Sequence, residues 1–288
     1  MLQPGSPSTT PLSCTIPAGV AEALRQRMER TGESLDQAVS SCLSESLDVE
    51  QHSIFQVSTS GALVQGVYQA ATTIGDVRKH GDFGLGTFVD LDGEGIMLDG
   101  ICYRAGSDGS LAPVHDSTAA PFWVTTHFRA DSTEVLTDIQ NWTDLCERLT
   151  AMRPPGNLLS AIRLEGVFDS IQVRVACKAE PGASLVEATS HQAEFTFENI
   201  EGTLVGFHTP AYARTINVPG YHLHLLSADR EHGGHVLELR AKSLRASIHT
   251  TNDLHIALPE NAAFLNADLT GDPSAALSKA EGAHPKSP

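Results

Sequence analysis

Four of the 13 histidines in this 288-residue chain fall within eighteen residues, in the stretch PGYHLHLLSADREHGGHV from Pro219 to Val236. Imidazoles gathered at short spacing suit a borderline divalent ion, because each neutral ring offers a nitrogen lone pair. His222-Leu223-His224 lies in an apolar, strand-like context. Side chains two apart on a strand share a face, so both imidazoles project together while Leu223 points the other way. Ser227 to Gly234 supplies the connection, with Gly233-Gly234 able to adopt positive φ. His235 then opens the returning strand over the same face. His222, His224 and His235 on one hairpin suit Zn²⁺ or a similar divalent ion and leave positions for substrate and water. His232, flanked by charge in the turn, stands apart from them.

The spacing is not that of a cupin, whose H-x-H is followed a few residues later by a glutamate; Ala228 and Asp229 stand there instead. Hydration, hydrolysis, decarboxylation and dioxygenation all use three-histidine sites. From these residues alone the chain reads as a metal-dependent enzyme with the reaction open.

Strands must position such a hairpin, and from about His52 onward the sequence is rich in them. Asp-Gly pairs at 92–93, 99–100 and 108–109 mark successive tight turns of a β meander. The stretches LLSAIRLEGVFDSIQVRVAC, EFTFENIEGTLVGFHTP, GHVLELRAKSLRASIHT and LHIALP continue the pattern in the second half. Between Ser132 and Met152 the spacing predicts a helix, stopped by Arg153-Pro154-Pro155-Gly156. That Pro-Pro-Gly divides the region into an N-terminal mixed-sheet domain, 51–155, and a C-terminal metal-binding sheet domain, 156–288. A short helix is expected in the tail, ending at Gly282.

The first 50 residues differ in texture. A Pro/Ser/Thr-rich leader precedes SCTIPAG, a short extended segment, and then two helices with a break at Gly32. Val20, Leu24 and Met28 recur at helical spacing in the first helix, and Ser34 to Gln37 forms a capping box before the second. Extended segment, helix, glycine turn and helix resemble a ribbon-helix-helix module. Leu12 to Ile16 offers none of the basic or amide side chains with which such ribbons read DNA. A net charge of −16 likewise argues against nucleic acid or an anionic membrane as partner. The sequence shows neither a secretory signal nor an apolar run of the ~18 residues a spanning helix needs. Five scattered cysteines without a C-x-x-C pair read as reduced thiols of a cytoplasmic protein.

Taken together, several phrases resemble the alpha-acetolactate decarboxylase family, over roughly residues 53–282: HGDFGLGTFVDLDGEGIMLDG, PFWVTTHF, NLLSAIRLEGVFDSIQVR and GTLVGFHTPAYARTINVPGYHLHLLSADREHGGHVLEL. The resemblance implies an α+β (mixed α/β) fold of two sheet-rich domains with mixed and antiparallel sheets, few helices and a metal between them, assembled as a homodimer. It implies zinc, or another divalent metal, on His222, His224 and His235. It makes Glu94 a further ligand or near neighbour, and it gives Thr87, Arg174 and Glu281 active-site roles. The reaction implied is decarboxylation of (S)-2-acetolactate (2-hydroxy-2-methyl-3-oxobutanoate) to (R)-acetoin through a metal-bound enediolate, in acetoin and 2,3-butanediol formation. Arg174 would orient the substrate carboxylate, and Glu281 or Glu94 would deliver the proton. Two alternatives are an enzyme of the same fold acting on another branched hydroxy-keto acid, and a metabolite-sensing regulator using the N-terminal module.

Overall fold

Asp99 and Gly100 both take positive φ, 51° and 76°, the geometry whose twist matches that of antiparallel strands. A strand ends immediately before them and another starts immediately after. The computed structural model describes residues 12–32, 34–47, 52–153, 157–180 and 182–280. They fall into two compact units, Met1–Gln51 and His52–Pro288.

In the first unit, α1 (Ala18–Thr31) ends at Gly32, whose left-handed conformation lets its N–H donate back to the Met28 carbonyl. α2 (Leu35–Leu47) follows. Residues 12–17 form no strand, so the extended segment of the expected ribbon is not a ribbon here. A lone strand has no ladder partner within one chain, and Pro17 instead leads directly into α1.

The second unit runs through β1 (Ser53–Val57), α3 (Ser60–Val64), β2 (Thr72–Thr73), α4 (Ile74–Val77), β3 (Phe83–Thr87), β4 (Glu94–Leu98), β5 (Ile101–Ala105), β6 (Leu111–Pro113), β7 (Ala119–Ala120) and β8 (Phe122–Thr126). It continues through β9 (Ser132–Ile139), α5 (Trp142–Met152), β10 (Leu159–Val175), α6 (Leu185–Thr189), β11 (Ala193–Thr209), β12 (Gly220–Ser227), β13 (Gly233–Thr251), β14 (Asp253–Ala257), α7 (Ala262–Asn266) and α8 (Ser274–Ala280). Seven strands form a first sheet in the order β14-β1-β8-β3-β4-β5-β6. It is mixed, since β1 and β14 run parallel while its other pairings are antiparallel. The second sheet is antiparallel in the order β10-β11-β12-β13-β9, and β10 also pairs with β13, closing four strands on themselves. The expected sheet-rich mixed fold with few helices is what forms.

Two expectations need correction. Ser132–Ile139 is a strand, not the first half of a helix; α5 starts only at Trp142, where the Asn141 side chain accepts from the Asp144 N–H. The sheets also do not divide at residue 155. β9, before that point, belongs to the second sheet, and β14, far beyond it, edges the first. Residues 154–156 themselves lie outside the described residues.

A core shared by both sheets fixes the site. Ile54, Phe83, Leu85 and Val124 from the first sheet bury against the cluster that includes Ala161, Val205, Phe207 and Leu226 from the second. Behind the second sheet, Trp142, Leu145 and Leu149 of α5 pack into another cluster with Ile162, Leu164 and Leu244. All five cysteines are free thiols. Among the described residues no helix is long and apolar enough to cross a membrane.

Candidate metal centre

The hairpin of β12 and β13 has the facing the residue spacing predicts. Leu223 is wholly buried in the α5-side core, while His222 and His224 point the opposite way. β12 pairs with β13 so that His224 lies directly across from His235. β13 in turn pairs with β10 so that His235 lies across from Arg174. His224, His235 and Arg174 therefore form one cross-strand row on one face of the sheet.

One ligating atom from each of His222, His224 and His235 lies within 4.8 Å of the others. The Nε2 atoms of His222 and His224 are 3.0 Å apart. Bonds of about 2.0–2.1 Å to a common ion at 90–109° would place neighbouring nitrogens about 2.9–3.4 Å apart. His224 Nδ1 lies 3.0 Å from the Gly95 carbonyl oxygen. A carbonyl only accepts, so Nδ1 carries the proton and Nε2 keeps its lone pair, the orientation metal-bound histidines use. His224 and His235 are nearly inaccessible, at 1% and 3% exposure, and the rings meet edge-on or tilted rather than stacked. The donor set fits a borderline divalent ion.

The first sheet supplies the facing groups. Thr87 of β3 and Glu94 of β4 are direct cross-strand partners and are buried side by side. Thr87 Oγ1 donates to the Gly93 carbonyl at 2.9 Å, fixing the turn that delivers Glu94. One oxygen of Glu94 accepts from the Ala176 N–H at 3.2 Å and faces Arg174 Nη1 at 3.6 Å. Its other oxygen stands 3.6 Å from His224 Nε2. Burial pushes the Glu94 carboxyl above its ordinary range, opposed by the Arg174 charge and the Ala176 N–H.

These groups line a cleft of about 540 Å³, counting its solvent-open mouth. Its remaining wall is largely apolar, with Leu63, Phe122, Leu185, Val218 and Leu277 among the lining residues. The structure thus brings His222, His224, His235, Glu94, Thr87 and Arg174 to one place. Glu281 lies outside the described residues, although α8, ending at Ala280, reaches the cleft through Leu277. His232 is elsewhere, its ring against Phe197 at 4.5 Å. Residue types did not point to the Gly95 carbonyl or the Ala176 N–H, because main-chain groups carry no type. The apolar wall gave no signal either, since its residues look like ordinary core.

Comparison with known proteins gives a consistent picture. The family model for alpha-acetolactate decarboxylase matches residues 54–271. The chain is 41% identical over 233 residues to an alpha-acetolactate decarboxylase of Methylococcus capsulatus, covering 81% of this chain and 90% of that one. It is 41% identical over 217 residues to the Bacillus subtilis enzyme of the same name, covering 75% and 85%. A crystal structure of alpha-acetolactate decarboxylase from Bacillus subtilis superposes with a TM-score of 0.78 at 39% identity, covering 80% of this chain and 99% of that chain.

Proposed function

This chain belongs to the alpha-acetolactate decarboxylase family, and from that membership we propose that it converts (S)-2-acetolactate to (R)-acetoin and CO₂ with a divalent ion, zinc foremost, on His222, His224 and His235. One observation supports this most: two imidazoles, a carboxyl and a guanidinium line a single apolar-walled cleft, and a third imidazole, that of His235, offers its nitrogen within 4.8 Å of the other two.

Acetolactate carries its carboxylate on the carbon next to its ketone, so the electron pair left on that carbon by loss of CO₂ passes into the substrate's own carbonyl as an enediolate and no organic cofactor is required. A divalent ion in the cleft supplies Lewis-acid stabilisation for the negative charge that develops on the neighbouring oxygens. Arg174, 4% exposed, offers a planar fork matched to the substrate carboxylate and holds it without competing water. Its partner Glu94 is pinned by the Ala176 N–H on one side of the cleft. A carboxyl fixed on one side protonates one face of the enediolate, and that gives a single acetoin enantiomer. Glu94 and Glu281 are the two carboxyls proposed for that step. Thr87 acts as a positioning residue through its bond to Gly93. The family resemblance extends the proposal to a homodimer working in the cytoplasm.

The deciding experiment removes bound metal with a chelator, supplies racemic acetolactate and follows acetoin by chiral chromatography. Activity should disappear and return with Zn²⁺, yielding only the (R) product from half of the substrate. Full turnover by scrupulously metal-free protein would sink the proposal.

A further inference from the structure

Two more histidines and an aspartate meet where the opening strand of the first sheet passes the ends of two strands of the second. His52 immediately precedes β1, Asp131 immediately precedes β9, and His249 lies near the end of β13. One ligating atom from each falls within 4.8 Å of the others, and none of the three lines the cleft.

The hydrogen bonds decide which atoms are on offer. His52 Nδ1 lies 2.8 Å from the Thr250 carbonyl oxygen, and His249 Nδ1 lies 2.6 Å from the Arg129 carbonyl oxygen. Both Nδ1 atoms must therefore donate, and in the neutral rings both Nε2 atoms hold lone pairs. His224 makes the same outer bond to Gly95 in the first centre. His249 is fully buried, and its Nε2 meets no hydrogen-bonding partner, an unfavourable state for a buried polar atom unless another group satisfies it.

Asp131 adds the anionic member. Its Oδ2 accepts the Thr250 N–H at 2.6 Å and stands 4.0 Å from His249 Nδ1, leaving further lone pairs on the carboxylate. The His52 ring stacks on His249 with centroids 5.0 Å apart. Its backbone holds φ 61°, an unfavourable conformation for a residue with a side chain. The Asn252 and Asp253 N–H groups, both donating to its carbonyl, keep it there.

We propose that His52, Asp131 and His249 form a second divalent-cation site, structural in kind, that ties β1 of the first sheet to β9 and β13 of the second. Two imidazole nitrogens and a carboxylate oxygen favour zinc-class ions over magnesium or calcium, and water completes the shell on the half-buried side of His52 and Asp131. The three groups each place a ligating atom within 4.8 Å of the others. His52 and Asp131, the less buried members, have the room to close on an ion.

Full-length protein stripped of metal and titrated with Co²⁺ in equilibrium dialysis should take up two equivalents per chain. Asp131→Asn keeps an oxygen for the Thr250 N–H but loses the charge, and should bind the second equivalent at least ~10-fold more weakly, a typical loss when a site is weakened. His52→Ala should do the same. His224→Ala should retain one equivalent and a Co²⁺-dependent rise in melting temperature, and both should vanish when Asp131→Asn is added. Uptake of one equivalent by the wild type, or a second equivalent that survives both Asp131→Asn and His52→Ala, overturns the site. The count in the His224→Ala background does not depend on the decarboxylase proposal, so the two can fail separately.

Discussion

Arg174 and Glu94 are each below a tenth exposed and face one another at 3.6 Å, and removing Arg174 takes from the buried Glu94 carboxyl the cation that faces it. Were Arg174 only there to balance Glu94, losing it would damage the centre itself. Were it a carboxylate clamp, the damage would show in turnover. Arg174→Ala is expected to lower kcat/KM for acetolactate by on the order of 10²–10³, the usual effect of losing one preorganised charge-stabilising donor, while zinc content by elemental analysis stays that of the wild type. Protein that purifies without metal would reassign Arg174 to a structural role. His208 makes a second prediction at this scale. Burial holds its imidazolium down to about 4, with the Arg153 charge acting in the same direction. The folded state thus keeps His208 neutral where the unfolded chain, at about 6.5, binds a proton. Its contribution is present above pH ~6.5 and is lost as pH falls towards 4, about 3 kcal/mol in all. Denaturant melts of wild type and His208→Gln between pH 7 and 4.5 should show a shallower decline in the variant; parallel declines would remove His208 from the account.

At the scale of elements, the site depends on how closely β11 can approach β12. Gly206 pairs with Leu223, and a Cβ there would come within 2.0 Å of the His222 carbonyl oxygen and 2.8 Å of Leu223 Cα. Those are main-chain atoms of the H-x-H strand and cannot swing aside. Gly206→Ala should destabilise by about 1–3 kcal/mol and weaken metal binding at the three histidines. Gly271→Ala, where a Cβ meets nothing within 4 Å, should leave both unchanged. Equal zinc affinity in the two variants, read by competition with a chromophoric chelator, would break the link between β11 and the site. The hairpin was legible in the sequence because period-two spacing speaks for itself: Leu223 in, His222 and His224 out, His235 returning. The strand at 132–139 was not legible. Leu136 and Ile139 are its buried apolar positions, and a separation of three fits a helix better than the period of two of a regular strand. Asp138 at φ 56° provides the irregularity that allows it. Glu94 was legible only through the family pattern, since an Asp-Gly-Glu turn ordinarily faces water. What buries it is the opposite sheet, a long-range contact with no local trace.

For the whole molecule, the question is whether the first unit has any part in the chemistry. Every described residue placed in the cleft lies between Leu63 and Leu277, and the family match begins at residue 54. The Bacillus subtilis structure is covered over 99% of its own length by 80% of this chain. β1, the first strand of the sheet that supplies Thr87 and Glu94, starts at Ser53, and the compact unit that contains it starts at His52. A chain beginning at His52 keeps every strand found among the described residues and also the His52 ring proposed for the second cation site. Removing residues 1–51 should therefore leave kcat/KM for acetolactate within about twofold and the melting temperature within a few degrees, since terminal segments are cut without penalty when no buried backbone depends on them. Acetoin formation and a thermal melt on the same preparation check this. A truncated protein that folds, binds zinc at the three histidines and still fails to release acetoin would give the helical pair of the first unit a direct part in turnover.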